Sequence, residues 1–101
     1  MDKEEVKRRL KMAFWDTNHS AEELYEVLTS GQPARFMTRD RIYARLLGTY
    51  SWYKLTDIVP QSEWPALLND KIIASLWPPS LKQKYKNVAR ILRKTALSAT
   101  R

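Results

Sequence analysis

The sequence predicts an all-α fold, a single compact domain of five to seven short helices in an irregular helical bundle. Three observations lead there. Hairpin chemistry is scarce, with two glycines and five prolines in 101 residues, and no stretch alternates apolar and polar residues long enough for a strand. Apolar residues recur instead at three- and four-residue spacing. Ser, Thr or Asp stands ahead of most of these runs, a helix-start signal.

Asp2 and Glu5 have the spacing of a capping box, and Val6, Leu10, Ala13 and Phe14 then fall on one helical face. Ser20 and Glu23 repeat the device before Leu24, Val27 and Leu28, and Gly31 is a natural stop. The loop GQPARFM leads to Thr38, the N-cap of a helix carrying Ile42, Leu46 and Leu47 and ending at Gly48. Another helix starts near Thr49 or Ser51 and runs through Trp52, Leu55, Ile58 and Val59 to Pro60. Two compact pieces follow, around EWPALL and DKIIASL. The last helix opens at Ser80, where Ser80 and Gln83 again have capping-box spacing, and continues to residue 97. Residues 1–97 thus form the domain, and 98–101 read as a disordered tail.

SEWPALL (62–68) and SLWPPSL (75–81) share Ser-x-Trp-Pro-x-x-Leu. Proline disfavours the α region for the residue before it and suits the first turn of a helix, so each copy reads as a joint with Trp64 or Trp77 filling the corner. Trp15 and Trp52 are expected in core or joint positions for the same reason, as large apolar groups near helix ends. Tyr85 falls on an apolar face and should be packed, whereas one of Tyr50 and Tyr53 should be exposed.

A chain of this length buries roughly two thirds of its extended surface, enough for a core without staples, and 44% of its residues are hydrophobic. No cysteine is present, which excludes disulfides and thiolate zinc sites. The charged N-terminus MDKEEVKRRLKMAFWD contains no signal-peptide h-region, and no apolar run reaches the length of a membrane span. These features predict a cytoplasmic protein with no membrane role. The acceptor pattern Asn18-His19-Ser20 is then a chance match.

Charge is unevenly placed. Residues 1–70 carry ten Lys/Arg and all eleven acids, a net of −1, and residues 71–101 carry eight Lys/Arg and no acid, a net of +8. Along the last helix Leu81, Tyr85, Val88, Ala89, Leu92 and Ala96 cluster on one side, and Lys86, Arg90, Arg93 and Lys94 oppose them, with Lys82 and Lys84 at the margins. Solvated helix faces usually mix signs through i,i+4 pairs, and this one has no acid to pair with. Lys82, Lys86, Arg90, Arg93 and Lys94 are therefore candidate contacts for an acidic partner, protein or nucleic acid. Arg39, Arg41 and Arg45 are secondary basic candidates. Ala44 and Gly48 have helix-turn-helix spacing, but Lys54 and Asp57 stand where that motif needs apolar residues, and a plain αα-corner fits better.

Catalysis finds little support. His19, the sole histidine, lies three residues from Asp16, a conceivable acid–base pair, but a turn histidine beside an N-cap serine is usually exposed and inert. No transition-metal set, phosphate-cradling glycine loop or nucleophile motif is present, which predicts a non-enzyme with no cofactor and no metal.

At FWDTN (14–18), AEELYEVLTSG (21–31), DRIYARLLGTYSWYKLTDIVP (40–60) and DKIIASLWPPSLKQKYKNVARIL (70–92), the chain resembles a family of small helical bacterial proteins. That family shows an early Trp-Asp, an acidic Leu-rich helix, an Arg-x-Leu-Leu segment before an aromatic pair, and a closing basic Ser-Leu…Tyr helix. The resemblance implies a partner encoded nearby, of the nucleotidyltransferase-like toxin–antitoxin or abortive-infection type, and brings no catalytic motif. The resulting expectation is a non-catalytic interaction protein whose basic C-terminal helix face docks on an acidic protein surface. The alternative is nucleic-acid binding through the same face.

Overall fold

The computed structural model describes the backbone of residues 2–99 and side chains as far as Lys94. Among the described residues seven α-helices follow in order: α1 (Lys3–Ala13), α2 (Ala21–Ser30), α3 (Arg39–Thr49), α4 (Trp52–Ile58), α5 (Trp64–Leu67), α6 (Asp70–Ala74) and α7 (Pro79–Ala99). A 3₁₀ turn, Gln61–Glu63, leads into α5. No strand occurs among the described residues, and the single β-bridge joins Ala34 to Met37 across a turn. The helix backbone runs past residue 97 to Ala99, so residues 98 and 99 belong to α7. Residues 100 and 101 and the Ala96 side chain lie outside the described residues.

Local capping chemistry sets the starts. Asp2, Ser20, Thr38 and Ser51 each accept a hydrogen bond from the amide three residues on, at 2.8, 3.1, 3.2 and 3.4 Å. The expected capping boxes are only half formed. The Glu5 carboxylate turns forward to Arg8 and Arg9, and Glu23 turns to Arg35. Gly31 closes α2 at φ 77°, donating to the Val27 carbonyl at 3.0 Å, a left-handed cap that L side chains resist. Gly48 behaves otherwise. It lies within α3, which continues to Thr49, so the expected stop there is not observed.

The start of α7 also departs from the expectation. Helical geometry begins at Pro79, and the Leu81 amide bonds to the Pro78 carbonyl at 2.9 Å, which places Ser80 inside the first turn rather than at the cap. Proline is pre-organised for the first helical position and has no amide to leave unpaired. The Trp77–Pro78 bond is cis. The other Trp-Pro joint is different again. Trp64 precedes Pro65 yet adopts α geometry (φ −59°, ψ −38°) as the first residue of α5, held by an indole hydrogen bond to the Val59 carbonyl at 3.0 Å.

The core forms around α3, which touches α1, α2, α4, α5 and α6. Ile42, Tyr43, Leu46 and Leu47 from α3 are all but fully buried, as are Leu10 of α1 and Leu24 and Val27 of α2. No charged side chain is buried among the described residues. The final helix joins through α6 and an aromatic chain: Trp64 meets Trp52 edge-on at 5.3 Å, and Trp52 meets Tyr85 at 6.4 Å. Tyr85 is fully buried, and its hydroxyl has no hydrogen-bond partner among the described residues.

Two of the four tryptophans miss their expected places. Trp52 and Trp64 pack against the core, but Trp15 and Trp77 are 78% and 79% exposed. Being near a helix end does not aim an indole inward. Tyr53 is exposed and Tyr50 half-buried, its hydroxyl donating to the Arg9 carbonyl at 2.8 Å.

Between α2 and α3 the chain turns at Arg35 (φ 49°) and Phe36 (φ 68°), two successive left-handed residues of which neither is glycine. Such a conformation costs roughly 1–2 kcal/mol per residue. It is held by paired backbone bonds between Ala34 and Met37 (3.0 and 2.8 Å), by Arg41 Nη1 donating to the Phe36 carbonyl (2.8 Å), and by buried Met37.

Two consequences are measurable by chemical denaturation. Ser20→Ala removes a working cap and is expected to cost about 1 kcal/mol, whereas Ser80→Ala should change stability little. Tyr85→Ala is expected to cost about 3–5 kcal/mol through the cavity it leaves, while Tyr85→Phe should retain or raise stability because the removed hydroxyl is buried without a partner.

Candidate interaction surface

Burial of Tyr85 and Ala89, with Leu81, Val88 and Leu92 packed alongside, turns one side of α7 to the body. Lys82, Lys86, Arg90 and Lys94 then follow at four-residue steps, each about 6 Å further along the axis. Lys86, Arg90 and Lys94 are exposed, and Lys82 is half-buried at the margin. Among the described residues no acid pairs with these four. Arg93 reaches Asp70 of α6 at 3.4 Å, but both side chains are largely exposed, so the pair is weak and open to exchange. Lys84 lies over the Tyr85 ring, 5.3 Å from its centre.

The secondary basic candidates are committed elsewhere. Arg39 donates to the Leu28 and Thr29 carbonyls at 2.9 and 3.1 Å, capping the C-terminus of α2. A Cβ on Gly31 would lie 3.0 Å from that guanidinium, so the glycine also makes room for it. Arg41 braces the turn at Phe36. Arg45 pairs with Asp16 at 3.3 Å and lies over the Phe14 ring at 4.9 Å. These arginines brace the fold, Arg41 across five residues and Arg39 and Arg45 across ten or more. The helix-turn-helix spacing also lapses, because Gly48 is helical rather than a turn residue.

Asp16 and His19 are not brought together as an acid–base pair. The Asp16 carboxylate faces Arg45. The His19 ring places Nε2 3.1 Å from the Arg35 carbonyl, and the Lys11 ammonium donates to the His19 carbonyl at 2.8 Å. His19 is half-buried rather than exposed, linking the α1–α2 loop to the turn before α3. No group of three His, Asp or Glu side chains suited to a metal occurs among the described residues. Nor is any described helix long and apolar enough to cross a membrane.

A cleft of about 210 Å³ is lined by Val6, Leu28, Ile58 and Val59, with Arg39, Tyr43 and Glu63 also in its wall. It assembles from four separate segments, which no local pattern reveals. Burial, with the nearby Glu63 carboxylate, pushes the Tyr43 phenol up to about 12.

No protein-family model matches the chain, and no curated protein or solved structure does.

The raised Tyr43 value makes stability pH-dependent. The folded state holds the phenol proton more tightly than the unfolded chain does, so this contribution is complete below pH ~10 and is lost as pH climbs towards about 12. Urea titrations across that window should show falling stability, with a shallower fall in Tyr43→Phe. Tyr85, raised by burial in the same direction, supplies a remaining share.

Proposed function

We propose that the chain is a non-catalytic cytoplasmic interaction protein that docks the cationic face of α7 on an acidic surface of a protein partner. The observation that carries this reading is the row Lys82, Lys86, Arg90 and Lys94, which no carboxylate pairs with among the described residues, on a helix whose opposite side is fixed by Tyr85. An intramolecular role would supply such a row with acids, as it does for Arg8 and Arg9 through Glu5.

Two features favour protein over nucleic acid. The α3 arginines are spent on internal contacts, so they do not broaden the basic surface into a phosphate-tracking groove. An exposed Trp77 stands just ahead of α7, and interface hot spots are enriched in Trp and Arg. The resemblance to small bacterial proteins implies a nucleotidyltransferase-type partner.

Charge reversal tests the reading. In affinity purification from the native cell after nuclease treatment, the wild type should retain a protein that the Arg90→Glu/Arg93→Glu variant loses, with affinity for the purified partner weakened about tenfold or more. Fluorescence anisotropy with labelled RNA and DNA supplies the opposing outcome. Micromolar binding at ~0.15 M salt that is steeply salt-dependent and lost in the same variant would replace the protein partner with nucleic acid.

A further inference from the structure

The Arg35–Phe36 turn is built against local preference. Two-residue turns with both central residues at positive φ favour Asn-Gly, and an aromatic residue there is a conformational outlier. The result is a Phe36 side chain 92% exposed at the tip of a braced turn. Nothing in the core requires this. Ala34 and Met37, which pack inward, flank the turn and would stay in place over an Asn-Gly pair. Strain held in place by surrounding bonds is characteristic of functional positions.

We propose that Phe36 inserts into the 210 Å³ cleft of a second copy of this chain, giving a reciprocal two-fold dimer. Size is the first argument: an apolar cavity of about 150 Å³ already accepts a benzene ring, and this cleft is larger, with an apolar floor of Val6, Leu28, Ile58 and Val59 and a rim that includes Tyr25, Thr29, Pro60, Arg39 and Glu63. Placement is the second. Arg39 contributes to the cleft wall and lies three residues after Phe36, so plug and socket stand within about 11 Å along the backbone. In a two-fold interface one patch meets its own copy, so a patch that carries both plug and socket allows the two insertions to be reciprocal. Charge is the third. Residues 1–70 are nearly neutral, and the net +8 sits in the last third, so copies meeting through this region escape the main repulsion. Arg35, 60% exposed and only loosely paired to Glu23 at 3.5 Å, flanks the plug, and the socket wall carries Glu63 together with Arg39. The dimer is independent of the α7 contact.

Two inserted rings and their surroundings make a small interface, below the standard size of tight complexes, so association should be weak. Sedimentation velocity from about 10 µM to about 1 mM is expected to show a reversible monomer–dimer equilibrium. Arg35→Asn/Phe36→Gly should weaken it about thirtyfold or more, while raising Tm by roughly 5 °C or more because the turn relaxes. That Tm rise shows that the variant is folded. Thr29→Arg, which blocks the cleft from its exposed wall, should weaken dimerisation equally, and Arg90→Glu/Arg93→Glu should dimerise as wild type does. A wild type that stays monomeric throughout overturns the proposal. So does a dimer indifferent to the turn and cleft variants, or one lost only in the α7 variant.

Discussion

The contact of Tyr85 with Trp52, backed by Trp64, decides the outward character of the molecule. It buries the largest apolar group of α7 and so fixes the helix's rotation about its own axis. Once that rotation is set, so is the side of the helix from which each cation leaves. A helix turned by half a turn would present Leu81, Val88 and Leu92 to water and press charges into the body, an arrangement burial energetics forbids. The buried hydroxyl of Tyr85, without a partner among the described residues, opposes the contact, but by less than the ring contributes.

In the first two thirds of the chain most arginines are engaged within the fold. Glu5 holds Arg8 and Arg9, Asp16 pairs with Arg45, and Glu23 pairs loosely with Arg35, while Arg39 and Arg41 serve backbone carbonyls. Against that background the acid-free last third stands apart as a different kind of surface. The strained turn at Phe36 shows the same division within one loop. Met37 works for the core, and its neighbour faces solvent at a conformational cost.

What was legible in the sequence was local. Asp2, Ser20, Thr38 and Ser51 cap helices because a side-chain oxygen and an amide three residues on are neighbours whatever the rest of the chain does. Periodicity likewise identified the buried side of α7. Ser80 stands inside the first turn because Pro79 itself occupies the first helical position. Trp15 and Trp77 face solvent, because indole burial depends on what arrives from elsewhere in the fold. The same holds for Arg39, whose partners lie ten and eleven residues away, and for the cleft, which no single segment contains.

The four-residue spacing on α7 has a geometric consequence for anything that binds there. Each step of four advances about 40° around the helix, so the row from Lys82 to Lys94 winds through about 120° while climbing about 18 Å. This explains why Lys82 is half-buried at the margin while its successors are exposed. A flat surface would meet neighbouring members of the row but not both ends together. The shape that follows such a spiral is an oblique one, a rod laid across α7 at an angle or a concave edge that curls around it.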